Sequence, residues 1–358
     1  MSFHSIISRN VVTKPSLNRY MYDVTPLYWK IGESDEFTST GLTKKVFNSF
    51  PICMYRNHEG NIEAISDICI HRGASLSAGK LVTHEKQSKT CVQCPYHGWH
   101  FCNGKVENVP GTIQDYNIGV PKFKIYEHCN DVFLLPTYDD LSQRGNVSSI
   151  STVNAIYYPP EHFDNDFVII TGSMKIQANH KMITENVLDM MHVSYVHSFG
   201  NSLSPFPYKI KYDDIDELSG YTKYYYTSGQ TSMSRILGNA DHVKVENEFH
   251  LPDTTITRVH ASDKMVKTIM TRCYPINENE SILYYYLYRN FLELPIYDSL
   301  FHYQMTKTLR EDVDLLKTVY SKYQNGFINN KYDITQVKYH EKRNHFMKQF
   351  KSKNIKQK

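Results

Sequence analysis

No window of this 358-residue chain approaches the roughly 18 consecutive apolar residues of a membrane-crossing helix, so no membrane span is expected. Charge of one sign is also lacking. Lys and Arg number 40 against 37 Asp and Glu, which leaves no basic surplus to hold nucleic acid as the main partner. Cysteine is sparse and odd in number, at seven, and the cysteines lie near histidines instead of at the regular spacings of a disulfide framework. That placement points to metal ligation in a reducing compartment. Acidic residues are missing before Asp23, whereas Arg9, Lys14 and Arg19 are present. Such an opening fits a frayed terminus or an organelle transit peptide; a cytoplasmic location is expected, with targeting left open.

What is present reads as two domains. After an N-terminal segment (1–24), residues 25–137 carry short apolar or alternating runs, Val46-Phe47, Ile52 to Tyr55 and Ile62 to Ile65, broken by turn-forming text such as Asn57 to Asn61. A small all-β domain is expected there. A polar stretch, 138–154, reads as a linker. Within 155–345, a strand is expected over Phe167 to Ile176, then a helix. Strands follow over Val243 to Phe249, Thr255 to Val259, Met265 to Cys273 and Ser281 to Tyr288, close enough in sequence to form an antiparallel sheet. Tyr284, Tyr285 and Tyr286 are expected to pack within that sheet more than to line a pocket. The closing basic stretch, 346–358, reads as a solvated frayed end.

Two loops of the first domain carry chemistry. Cys69-Ile70-His71-Arg72-Gly73 and Cys94-Pro95-Tyr96-His97-Gly98 each supply one Cys and one His. From the residues alone the set suits a structural zinc site or a [2Fe–2S] centre with Cys on one iron and His on the other. Cys91, three residues before Cys94, keeps a CxxC zinc variant open.

A second constellation lies in the other half. Asn186, Asp189 and His192 recur every three residues, which predicts one shared face of a helix, and His197 follows. Between about Pro295 and Lys322 an apolar stripe of Phe301, Met305, Leu309, Leu316 and Val319 predicts another helix, and Asp312 falls on that stripe. A carboxylate facing a helix's buried side needs a partner, and a metal is one. Two His and one carboxylate on one face of a metal suit non-haem Fe(II). A zinc hydrolase would use similar ligands but has no need of a redox cluster in the same polypeptide. A buried salt bridge is the other partner open to Asp312, and a misplaced register would turn Glu311 or Asp314 inward in its place.

Taken together, CxHRGAxL followed by CPYHGWxF resembles the cluster-binding signature of the Rieske oxygenase family. Asn186-x-x-Asp189-x-x-His192 with His197 is similar to that family's mononuclear-iron motif, in the style of vanillate demethylase oxygenase subunits. Ile70 departs from the family's usual Pro, and Thr83 to Lys89 form a polar insert expected to lengthen a surface hairpin. Respiratory-chain Rieske proteins have an extra Cys in each loop, joined as a disulfide. Ala74 and Tyr96 stand there, so that bridge cannot form, which argues for a lower-potential centre.

The resemblance implies an α+β chain: an N-terminal all-β Rieske domain, then an antiparallel-sheet catalytic domain with helices, of helix-grip or START-like form. It implies a [2Fe–2S] cluster on Cys69, His71, Cys94 and His97, and mononuclear Fe(II) on His192, His197 and Asp312. Asn186 and Asp189 become catalytic-site residues, with Asp189 bridging a cluster His97 and His192 across a head-to-tail homotrimer. The implied activity is that of a terminal oxygenase, mono- or dioxygenase. A separate reductase or ferredoxin would supply electrons, and O2 would hydroxylate or O-demethylate a small aromatic molecule. Alternatives are a sterol or quaternary amine as substrate, or an electron carrier without oxygenase activity. Arg235, Arg258 and Arg289 would each meet a substrate carboxylate or, more commonly, a nearby acid.

Overall fold

The computed structural model describes residues 24–84, 89–112, 116–139, 156–262, 264–320 and 328–355. Expectations placed on residues 1–23 and 140–155 lie outside the described residues. Two compact units divide the chain, Met1–Val153 and Asn154–Lys358.

The first unit is built from ten strands: β1 (Trp29–Glu33), β2 (Thr43–Phe47), β3 (Phe50–Arg56), β4 (Ile62–Ser66), β5 (Lys80–His84), β6 (Lys89–Gln93), β7 (His100–Cys102), β8 (Lys105–Asn108), β9 (Lys122–His128) and β10 (Asp131–Asp139). They form a six-stranded sheet in the order β1-β10-β9-β4-β3-β2 and a four-stranded sheet β5-β6-β7-β8. Both sheets pair antiparallel throughout. β5 and β6 pair antiparallel with His84 opposite Lys89, and residues 85–88 of the polar insert lie outside the described residues. Ile52 and Met54 on one face of β3 and Cys53 and Tyr55 on the other are all buried. Cys53, Tyr55 and Ile65 pack with Leu76, Val92 and Phe101 in one apolar cluster that also takes in Cys69 and Cys94.

The second unit holds a seven-stranded antiparallel sheet. Its strands are β11 (Val168–Ile176), β12 (Tyr208–Asp214), β13 (Ser219–Thr227), β14 (His242–His250), β15 (Thr254–His260), β16 (Val266–Asn277) and β17 (Glu280–Arg289). The order is β11-β17-β16-β15-β14-β13-β12, a sequential meander closed by β11. The helices are α1 (His180–Leu188), α2 (Val193–Val196), α3 (Met233–Gly238), α4 (Asp298–Leu316) and α5 (Ile334–Ile355).

The inward face of α4 carries Phe301, Met305, Leu309, Asp312 and Leu316, all buried. Its apolar members join Met182 and Ile183 of α1 and Leu283, Tyr285 and Leu287 of β17 in one core. Each such side chain contributes roughly 1.5–3 kcal/mol on burial, against about 0.3–0.5 kcal/mol for an exposed helix pair such as Lys307–Glu311. Packing therefore sets the rotation of α4 about its axis, and that rotation carries Asp312 inward.

Tyr284 and Tyr286 lie on the opposite sheet face, packed on Tyr274 and Tyr158 respectively. The tyrosine run is structural, as its strand context suggests. Two expectations need correction. Val319 is 38% exposed and lies beyond α4, because the helix stops at Leu316. The basic stretch after Glu341 does not fray at once: α5 continues to Ile355, tied down by buried Arg343 and Met347.

Candidate metal centres

The Cys/His loops of the first unit connect β4 to β5 and β6 to β7, and they share one backbone design. The Cys69 N–H donates to Ala74 O, and the Gly73 N–H donates back to Cys69 O at 2.8 Å. In the second loop the Cys94 N–H donates to Trp99 O, and the Gly98 N–H donates to Cys94 O at 3.1 Å. Each glycine closes its turn at positive φ, 74° for Gly73 and 69° for Gly98, a region that a side chain disfavours.

These turns gather four donors. Cys69 and Cys94 are buried, whereas His97 is exposed and His71 half-buried. The His71 and His97 rings stand 4.5 Å apart. Trp99 stacks on His71 and Tyr96 packs on His97. Burial pushes the Cys69 thiol up to about 11, with the neighbouring Cys94 adding to the rise. Burial, then the charges of His97 and Arg72, lowers His71. His71 Nδ1 is a buried ring nitrogen with no hydrogen-bond partner. A paired set of buried thiols with an orphaned imidazole nitrogen fits a bound cluster, whose irons satisfy all of them. The imidazole edges reach solvent while the sulfurs do not, so such a cluster would exchange electrons on its histidine side.

Cys91 takes no part. It forms a disulfide with Cys102, its register partner across β6 and β7. The CxxC zinc variant is thereby excluded, and the expectation of reduced cysteines is corrected for this pair. Partners eleven positions apart gave no signal at the sequence level, because only the strand register sets them opposite.

In the second unit the expected single helix is broken. Helix α1 ends at Leu188, Asp189 is its extended C-cap, and a separate one-turn α2 begins after His192. The Asp189 side chain explains the break. Its Oδ1 accepts from the N–H groups of Met191 at 2.6 Å and His192 at 3.2 Å, replacing helical bonding with a side-chain turn. The turn still aims the imidazole, because His192 Nδ1 lies 2.9 Å from the Asp189 carbonyl oxygen and donates to it. The Asp189 carboxylate itself stays 3.9 Å from that nitrogen.

His197 sits at the other end of α2, its ring stacked on Phe199. Its Nδ1 lies 3.0 Å from Glu311 Oε2 on α4. With both Nδ1 atoms engaged, His192 Nε2 and His197 Nε2 each point at Asp312 Oδ1, at 3.5 Å. Ligand atoms of His192, His197 and Asp312 lie within 4.8 Å of one another. Asp312 Oδ1 is buried without a hydrogen-bond partner.

Burial raises the Asp312 carboxyl to about 7, with Glu311 adding to the rise and the Asn186 side chain opposing it. Burial also lowers His197 to about 4, helped by His192 and Lys267 and resisted by Glu311. His192 is lowered by burial against the pull of Asp189. Two neutral imidazoles and one orphaned carboxylate oxygen aimed at a common point fit a divalent metal with open positions. Glu311 is the functional residue that sequence reading left as a mere register alternative: α4 presents Asp312 to the centre and the adjacent Glu311 to the back of His197.

The His192, His197 and Asp312 side chains face a cavity of about 460 Å3 between the sheet and α4. None of the three arginines offered for substrate binding lines it. Arg235 pairs with Asp241, Arg258 with Glu161 and Glu248, and Arg289 with Asp298. Their plainer reading holds.

Comparison with known proteins finds a family domain in each unit. Residues 28–127 match the model of the Rieske [2Fe-2S] domain, and residues 176–340 match that of the vanillate O-demethylase oxygenase C-terminal domain. Over 173 residues the chain is 29% identical to chlorophyllide a oxygenase, chloroplastic, of Chlamydomonas reinhardtii, covering 48% of this chain and 24% of that protein. Over 166 residues it is 27% identical to the oxygenase component of dicamba O-demethylase of Stenotrophomonas maltophilia, covering 46% and 44%. The chain thus spans less than half the length of these curated relatives. The crystal structure of dicamba monooxygenase bound to dicamba superposes with a TM-score of 0.72 at 16% identity, over 92% of this chain and 98% of that one, which establishes a common fold. Among the described residues, no helix is long and apolar enough to cross a membrane.

Proposed function

The chain belongs, through both of its domains, to the Rieske oxygenases of the vanillate O-demethylase type, and on that premise we propose that it is a terminal oxygenase. It hydroxylates or O-demethylates a small organic, aromatic substrate; the demethylation reading comes from its dicamba and vanillate relatives. Cys69, His71, Cys94 and His97 hold the [2Fe–2S] cluster, and His192, His197 and Asp312 hold mononuclear Fe(II). When bound, the cluster supplies electrons from a separate reductase or ferredoxin and the iron supplies the site for O2.

The residues of the chain prepare that site. The Asp189 carbonyl and the Glu311 carboxylate each accept a hydrogen bond from an Nδ1–H, which leaves both Nε2 lone pairs free for metal. Asn186 favours the charged form of Asp312. Val245, Val259, Ile269, Leu287 and Leu309 give the cavity an apolar wall beside the three ligand side chains. The Asp189 side chain is 28% exposed, which leaves it open to a neighbour. Assembly as a head-to-tail homotrimer, with Asp189 meeting the partner's His97, is part of this proposal, as is a cytoplasmic location.

The observation that supports the reading most is the convergence of two Nε2 atoms on one orphaned carboxylate oxygen. Oxygen uptake with a surrogate electron donor, across a panel of aryl ethers and aryl acids, tests it. Substrate-dependent O2 consumption with an oxygenated or demethylated product is expected. A cluster that cycles between redox states with no iron requirement and no substrate turnover would indicate an electron carrier instead.

A further inference from the structure

The cavity over the His192–His197–Asp312 centre has walls of Val245, Val259, Ile269, Leu287, Phe301 and Leu309. Beside these apolar side chains, with Thr257, Thr271 and Gln304 also in the lining, β16 projects one lysine. Lys267 and Ile269 alternate onto the same sheet face, and Lys267 pairs in register with Val259. The ammonium stands close enough to His197 for its charge to reduce that imidazole's proton affinity.

Lys267 is half-buried. Among the described residues no carboxylate lies within ion-pair distance of it, and burial alone lowers its proton affinity. The other cavity lysine, Lys307, faces Glu311 at 3.9 Å. Asp312 is committed to the two imidazoles and Glu311 to His197. A dication on two neutral imidazoles and one carboxylate would leave the centre positive, and Lys267 adds to that charge. An anion beside a half-buried ammonium at an apolar wall is held more strongly than it would be in open water.

We propose that Lys267 anchors a negatively charged group on the substrate, so that the cavity selects an apolar organic monoanion, a carboxylate or sulfonate, over neutral or cationic molecules. The anion sits on the ammonium and the hydrocarbon body lies between the sheet and α4. A charge-assisted hydrogen bond in such surroundings is worth about ten- to a hundredfold in affinity. A quaternary ammonium is repelled by the same charge. The inference rests on this cavity being the substrate site of the proposed oxygenase.

Calorimetry on the cluster- and iron-loaded protein under anaerobic conditions, with naphthoate and naphthamide as probes, tests it without turnover. Naphthoate should bind at least about tenfold more tightly than the uncharged amide. Lys267→Met should erase the difference, and Lys267→Arg should keep it. Lys267→Met should melt no lower than the parent, since it removes a half-buried charge with no acid beside it and keeps the apolar stem in place. Equal affinity for the two probes, survival of the preference in Lys267→Met, or no naphthoate binding at millimolar concentration would each overturn the proposal. The two readings fail separately. Charge-selective binding without O2 uptake on any substrate leaves the anion site standing and removes the oxygenase. Turnover of neutral substrates, indifferent to Lys267→Met, does the reverse.

Discussion

Glu311 Oε2 lies 3.0 Å from His197 Nδ1, on the side of the imidazole opposite Asp312, whose Oδ1 lies 3.5 Å from Nε2 of the same ring. Adjacent residues of one helix thus hold one histidine front and back. The helix turns about 100° per residue, so both can reach the ring only because His197 comes in beside α4.

Glu311→Ala removes the acceptor that fixes the tautomer and orientation of His197. Metal affinity at the centre should fall roughly ten- to a hundredfold, with the cluster spectrum unchanged. Glu311→Gln keeps an acceptor oxygen and should lose less. Titration with Fe(II) or Co(II) measures both, and parental affinity in the alanine variant would count against the role.

His192→Ala should abolish turnover and leave the electron-spin signal of the reduced cluster intact, because the residue lies in the second unit and is not one of the four cluster donors. Loss of both signals together would mean that the two centres are misassigned.

Asp189→Asn preserves the Oδ1 that caps the N–H groups of Met191 and His192, and it leaves the main-chain carbonyl that holds the His192 ring. Both metals should therefore stay bound. The lost negative charge should slow electron transfer between centres sharply in single-turnover experiments, and an unchanged rate would remove Asp189 from the electron path.

Glu248 links the folded second unit to pH. Burial works to raise its carboxyl, but the His250 hydrogen bond at 3.2 Å and the charge of Arg258 outweigh burial and hold it below the ordinary glutamate value. A carboxyl depressed in the folded state stabilises above its unfolded value, about 4.3, and that stability is lost as pH falls through the folded one. Urea midpoints should fall on acidification below about pH 4.3, and Glu248→Gln should flatten that acid limb. Parallel limbs for the two proteins would show that the network carries no such linkage.

Local chemistry made much of this protein legible. Alternating apolar runs marked β14 to β17, and the stripe from Phe301 to Leu316 marked α4 with Asp312 turned inward. The two Cys/His loops announced themselves because glycines at positive φ and clustered soft ligands are local requirements, written within five consecutive residues.

What escaped the sequence is of two kinds, a local competition for backbone N–H groups and contacts between distant segments. The Asp189 side chain overrides a helical spacing that reads as continuous from Asn186 to His192, because a short-range turn competes with the helix for the same N–H groups. Cys91 and Cys102 meet only through strand register. Glu311 and Lys267 acquire meaning only once α4 and β16 face the same cavity, the one behind His197 and the other beside apolar side chains. The sequence by itself determined which ligands exist and which elements carry them. Tertiary packing decided which nitrogen faces the metal, what holds it there, and which charge is left for a substrate, because burial and proximity are properties of the assembled sheet and helix and of neither alone.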